Sequence, residues 1–454
     1  MRLQERYGAP DRLAAVIGGG LAGSEAAWVL ARALGDRGRV DLFEMRPGRM
    51  TPAHSTASLA ELVCSNSLKS ELLSTPAGLL KADLLKLGSP LMAQALKCRV
   101  PAGRALAVDR IKLGETVTQS IGAQPGIRLI REEAADIPEG YDTVIIATGP
   151  LTSGAMAEKL KGLIGQESLY FYDAIAPIVE TGSIDMSIAF TQDRYGDDES
   201  GDYLNLPMER DEYETFVARL LSAQTVALRE FEKKYYFEGC LPVEEIASRG
   251  RDALAFGPLK PVGLRDPRTG NRPYAAVQLR KENEAGDAMN MVGFQTKLTY
   301  PEQERVFRTI PGMANARFLR HGSLHRNTYI NSPRTLNADM SLKSAPGIFL
   351  AGQITGVEGY VESIAMGHMA ALSAAARLLG RPFTPPPPAT TLGALLGHIT
   401  DPARAETFQP ANMNFSLFPP IDDEGKGRKL RRAMILERAG KEMEEWMAGR
   451  EDVD

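Results

Sequence analysis

The chain has 454 residues, 43% of them hydrophobic and 24% charged, with a formal net charge of −4. That length suits two or three domains with sizeable cores, and that composition excludes a wholly disordered chain. The negative balance excludes a molecule-wide attraction for nucleic acid, so an RNA partner requires a local basic patch. Three cysteines, an odd number, exclude a closed disulfide framework.

The N-terminal MRLQERYGAPDRLAAVIGGG has an apolar run too short and too glycine-rich for a signal peptide. No stretch approaches the roughly 20 apolar residues of a membrane span. A soluble, cytoplasmic protein without a membrane partner is expected. Leu13–Ile17 reads as a short strand, and Gly18, Gly20 and Gly23 then open a helix with apolar Ala22, Ala26, Val29, Leu30 and Ala33. Val40–Phe43 is a second strand ending at Glu44, which completes a βαβ unit. YDTVIIATGP, Tyr141–Pro150, reads as a buried strand that ends at Gly149. RDEYETFVARLLSAQ is helical by period, and YAAVQLRKEN and AMNMVGFQTKLTY read as an antiparallel pair around the turn EAGD. PEQERVFRTIPG is a short helix, PGIFLAGQITGVEGYVESIAMG a strand, a glycine-rich turn and a long helix, and the last segment a charged amphipathic helix. The pattern predicts an α/β protein. Residues 1–200 and 322–454 are expected to form a Rossmann-like FAD-binding domain of glutathione-reductase type, built from both chain ends, with an inserted α+β domain at 201–321.

The glycine motif has a physical logic in this setting. Gly18 permits the tight turn, Gly20 lets backbone approach a pyrophosphate, and Gly23 lets helix and strand pack closely. The segment Gly18, Gly19, Gly20, Leu21, Ala22 and Gly23 thus points a helix N-terminus at phosphates, and Glu44 is placed to accept from an adenosine ribose. Gly352-Gln353 ends a later strand where many flavoproteins carry Gly-Asp, and the amide of Gln353 makes similar hydrogen bonds without the charge. These features favour FAD, with Gly149, Gly352, Gln353 and Tyr360 as further contacts. Tyr360 is a candidate platform for a pterin or nicotinamide, or a packing aromatic. His325, Arg326 and Asn327 line the same cavity or make loop hydrogen bonds. Five histidines and three cysteines show no metal-ligand spacing, so no metal is expected.

The combination of GGGLAGSEAAWVLA, ELVCSNSLKSE, PAGRALAVDR, EGCLPVEEIASRG, VGFQTKLTYPEQERVFRTIPG, RHGSLHRNTYINSP, IFLAGQITGVEGYVESIAMG and NFSLFPP resembles the TrmFO family, the folate- and FAD-dependent tRNA uracil-5 methyltransferases. The resemblance runs from Leu13 to Pro420 and extends to the sister GidA/MnmG flavoproteins. It implies transfer of a methylene from methylenetetrahydrofolate, by way of reduced FAD, to carbon 5 of the T-loop uridine of tRNA, with NADPH or NADH as reductant.

That reaction suits a cysteine, because a thiolate added at carbon 6 turns uracil into a nucleophile at carbon 5 and can leave again. Cys240, in GCLPVEEIASRGRDA, is the expected nucleophile. Cys64 is also functional by the resemblance, and Cys98 in ALKCRVPAG reads as a buried packing residue. Glu244 and Glu245 are both candidates for the base that removes the carbon 5 proton. Lys69, Arg249, Arg251, Arg280, Lys281 and the run Arg428, Lys429, Arg431, Arg432 are candidate RNA contacts, although charge runs more often mark a solvated helix face. Rival readings are a GidA/MnmG-like modifier of a wobble uridine, a flavin-bound RNA-binding or folding factor, and a plain NAD(P)H-dependent flavin oxidoreductase.

Overall fold

The computed structural model describes residues 11–165, 169–194, 201–226, 241–422 and 427–450, with backbone alone for 169–173 and Arg326. Cys240 lies outside the described residues. Twelve strands make the two main sheets: β1 (Arg12–Ile17), β2 (Gly38–Phe43), β3 (Ile127–Ile130), β4 (Thr143–Ile146), β5 (Ile178–Glu180), β6 (Phe190–Thr191), β7 (Tyr203–Met208), β8 (Ala275–Lys281), β9 (Ala288–Met291), β10 (Phe318–Arg320), β11 (Ser341–Leu342) and β12 (Ala345–Leu350). Two helices matter most for the site, α1 (Leu21–Leu34) and α2 (Tyr360–Leu378), and α3 (Arg428–Ala448) carries the basic run near the C-terminus.

The first sheet has the order β11-β12-β4-β1-β2-β3, and every neighbouring pair except β11-β12 is parallel. This is the Rossmann-like arrangement, in which a nucleotide lies beyond the carboxyl ends of the central strands. Ala14, Val16, Val40 and Leu42 are fully buried there, as expected for parallel strands covered on both faces. α1 and α2 approach closely because Gly367 has no side chain: a Cβ there would lie 2.3 Å from the Ala22 carbonyl oxygen. The buried contact of His368 Nδ1 with Glu25 Oε1, 2.7 Å, fixes the same pair of helices.

The second sheet is antiparallel, with the order β6-β7-β8-β9-β5-β10. The sequence-predicted hairpin is present as β8 and β9, paired from Leu279↔Met291 to Lys281↔Met289. Strands β5 and β6 precede residue 201, so the second sheet begins upstream of the expected division and ends at Arg320. Helix Arg210–Leu221 and helix Tyr300–Phe307 cover it, and Phe216, Phe294 and Phe307 are fully buried in its core. A ribbon of Leu169–Ile175 antiparallel to Ser323–Tyr329 carries the chain out to this unit and back.

The two units are joined by polar contacts. Arg110 and Glu282 form a buried ion pair. Asn66 Nδ2 donates to the Lys281 and Glu282 carbonyls at 2.9 and 3.3 Å, and Asn66 Oδ1 accepts from Arg280 Nε at 2.9 Å. Arg280 is therefore a buried inter-unit residue and no surface contact for RNA. β8 is buried continuously from Ala275 to Arg280, which charge alone did not reveal.

Candidate active site

Two adjoining cavities lie at the carboxyl ends of the first sheet. The first encloses about 1010 Å³, including space open to solvent, and its wall includes Gly18, Gly19, Gly20, Leu21, Ala22 and Glu44. Gly18 has φ +104° and faces the end of β4: a Cβ would lie 2.5 Å from the Ala147 carbonyl oxygen. At Gly23 a Cβ would lie 1.8 Å from the Gly18 carbonyl oxygen, whereas nothing lies within 4 Å of one at Gly20. Gly18 and Gly23 thus shape the turn, and Gly20 leaves room above it. α1 starts at this point with no side-chain cap and no acidic residue in its first turn, so its free amides are left for an outside acceptor. The residues fit a pyrophosphate.

Glu44 sits at the cavity wall at the end of β2. Its Oε2 accepts from Gly19 N at 3.0 Å and Arg46 Nη2 at 3.2 Å, and its Oε1 accepts from Arg46 N and Nε at 3.0 and 2.9 Å. Burial pushes the Glu44 carboxyl up, but the hydrogen bonds and charge of Arg46 outweigh it, and the group titrates below the usual range. Arg46, 2% exposed, also pairs with Glu61 at 3.0 Å. His54 lines the same cavity, and burial, then the charge of Arg46, hold it neutral with a pKa of about 4. Arg46 and His54 escaped the sequence reading; the available signal was an arginine two residues beyond the acidic strand end. Gly149, φ +67°, lines this cavity too. Gly352 lines neither cavity: a Cβ there would meet the Ala22 side chain at 2.5 Å, so it serves the packing of α1.

The second cavity, about 980 Å³, is walled by Cys64, Lys69, Gln295, His325, Asn327, Glu358 and Asn412 among others. Gln353 and Tyr360 line both cavities. Gln353 Nε2 donates to Glu358 Oε2 at 2.6 Å, and the Tyr360 hydroxyl accepts from Cys64 N and Ser65 N at 2.9 and 3.2 Å. Lys69, φ +65°, pairs with buried Glu362 at 2.8 Å. Burial, then the charge of Arg320, lowers the His325 pKa. Cys98 is buried on Thr116, and burial pushes its thiol up.

The two glutamates considered as bases stand outside both cavities. Glu244 is 6% exposed and accepts from Thr296 Oγ1 at 3.0 Å and Lys297 N at 2.7 Å, while Glu245 pairs with Lys297. Arg249 and Arg251 are exposed, with Arg251 ion-paired to Glu214. Arg428, Lys429, Arg431 and Arg432 are exposed on the first turns of α3, and Arg432 stacks 4.7 Å over Phe415.

The family model described as glucose inhibited division protein A matches residues 14–382. The Geobacter sulfurreducens protein named methylenetetrahydrofolate–tRNA-(uracil-5-)-methyltransferase TrmFO is 55% identical over 434 residues, 95% of this chain and 98% of its own. The chain belongs to the TrmFO family. The Moorella thermoacetica protein of the same name is 54% identical, over 93% of this chain and 96% of its own. Among solved structures, Aquifex aeolicus GidA in its form II crystal superposes with a TM-score of 0.67 at 16% identity, covering 98% of this chain and 75% of that one. That likeness shows the shared fold. No described helix is long and apolar enough to cross a membrane.

Proposed function

We propose that this protein methylates carbon 5 of a tRNA uridine, in the T-loop, with methylenetetrahydrofolate as one-carbon donor, FAD as bound cofactor and NADPH or NADH as reductant. Identity to the TrmFO proteins over nearly the whole chain supports the reaction class. The observation that carries the reading in the structure is the junction of two cavities. One is glycine-lined with free helix amides, the other holds Cys64, and Gln353 and Tyr360 stand in both.

FAD fits the first cavity, where Gly18–Ala22, Glu44, Gly149, Gln353 and Tyr360 would hold it. When bound, it supplies redox and one-carbon carrier chemistry next to the second cavity. The chain's own residues do the rest. Cys240 is the proposed nucleophile at carbon 6 of the uracil. In support, Val243 N donates to the Gln295 carbonyl at 2.7 Å, and Gln295 lines the second cavity. Cys64 guards the one-carbon unit in transit. Lys69 brings a cation to the cavity, and neutral His325 and Asn327 offer hydrogen bonds to a uracil or a pterin. The target uridine must leave its loop stack to enter.

The test is incubation of purified protein with methylenetetrahydrofolate, NADPH and unmodified tRNA, followed by nucleoside mass spectrometry. The expected product is 5-methyluridine at the T-loop position. A carboxymethylaminomethyl product, or no modified uridine, overturns the reading.

A further inference from the structure

We propose that Arg320 is a positioning residue for Cys64: it holds the Cys64 loop and gives the thiol a fixed positive neighbour that belongs to the second unit. This deepens the reading of the second cavity and rests on it only for the catalytic consequence.

The Cys64 segment is held from two sides. Its amide and that of Ser65 donate to the Tyr360 hydroxyl, from α2 of the first unit. The Cys64 carbonyl accepts from Arg320 Nη2 at 3.0 Å, and Arg320 ends β10 of the second sheet. Two residues on, Asn66 is bound to Arg280, Lys281 and Glu282 of the second unit. The cysteine backbone therefore lies where the two units meet, with one hand from each.

The charge around Arg320 calls for a further explanation. Arg110 and Arg320 stand near one carboxylate, Glu282, and Glu282 is ion-paired to Arg110. Two guanidiniums and one carboxylate leave one positive charge. Arg320 Nε is buried with no hydrogen-bond partner among the described residues. Burial, then Arg110, lowers the Arg320 pKa, while Glu282, Cys64 and Tyr360 raise it. A neutral donor would hold the Cys64 carbonyl without the desolvation cost of an under-bonded cation. What a cation adds is a fixed positive charge beside the sulfur, which attracts an anionic reagent or substrate group approaching it. The second unit thus supplies part of the electrostatics of a cysteine that the first unit carries.

The test uses the full-length, FAD-bound protein. Cys64 is alkylated with anionic iodoacetate and with neutral iodoacetamide, and the Cys64 peptide is quantified by mass spectrometry. The ratio of the two rates cancels the thiolate fraction and reads local charge. The expected result is a fall in the iodoacetate-to-iodoacetamide ratio of roughly threefold in Arg320→Gln, the size of effect that one nearby unit charge exerts in a high dielectric. Arg320→Lys keeps the wild-type ratio. An unchanged ratio in Arg320→Gln overturns the proposal, because a purely structural arginine would not move it. If Arg320→Gln does not fold, Arg320→His takes its place: a ratio that falls relative to wild type as pH rises from about 5.5 to about 8 supports the proposal, and a ratio that tracks the wild type across that range overturns it. The labelling needs no RNA, folate or turnover, so a protein that makes no 5-methyluridine still yields the answer.

Discussion

The two cavities are built in opposite ways. The first is drawn largely from continuous stretches at the ends of neighbouring strands, Gly18–Ala22 after β1, Phe43–Arg46 after β2 and Ala147–Ser153 after β4. Its shape depends on missing side chains and on backbone amides. The second gathers residues from across the chain: Cys64 meets Tyr360 across 296 positions, and Gln295 comes from the second unit. Its shape depends on side chains and on the seating of one unit against the other. A site made of backbone tolerates little change at its glycines. A site made of side chains is open to being dismantled one hydrogen bond at a time.

Substitutions break or sharpen that contrast. The largest effect is expected from Cys240→Ala, which should lower 5-methyluridine formation by about a thousandfold or more while FAD content stays normal. Preserved turnover would remove Cys240 from the chemistry. Gly23→Val comes next: with 1.8 Å available to the Cβ, the turn at Gly18 cannot form, and flavin absorbance per protein should be lost. Gly20→Ala, with nothing within 4 Å, should keep the fold in a thermal melt and weaken FAD binding alone.

Glu44→Gln should cost about 3 kcal/mol in denaturant unfolding, because it leaves buried Arg46 with one fewer charged partner. The pH dependence follows from the lowered carboxyl pKa of Glu44. In the wild type this contribution is fully present above the unfolded carboxylate range near pH 4.5 and is lost as pH falls through the lower folded pKa. Glu44→Gln should therefore lose this part of the acid dependence. Tyr360→Phe should remove the acceptor of two amides, costing about 1–3 kcal/mol locally and speeding Cys64 alkylation. The smallest effect belongs to Lys112→Ala, which removes the exposed ion pair with Glu284 across the units and should leave the melting temperature unchanged within error.

The same contrast explains what could be read in advance. The glycine spacing and the strand ending at Glu44 are local, so β1, α1, β2 and the first cavity were legible from the residues themselves. The antiparallel pair β8 and β9 was legible from alternation around EAGD. Cys64 was singled out by resemblance, since nothing adjacent in the chain announces that Tyr360 will hold its amide. Arg280 looked like a surface cation because sequence gives charge and leaves burial to the register of a strand. Glu244 and Glu245 follow Cys240 closely, yet they turn to Thr296 and Lys297. Glu358, a carboxylate that does line the second cavity, sits in GVEGYVES, where no local pattern separates it from a solvated glutamate.

The ribbon of Leu169–Ile175 and Ser323–Tyr329 does two jobs with one piece of backbone. It carries both crossings between the units, and Ile175, His325 and Asn327 on it are part of the wall of the second cavity. Crossing and chamber wall are thus the same object. A substitution that loosens the pairing of this ribbon therefore disturbs the join between the units and the chamber wall together.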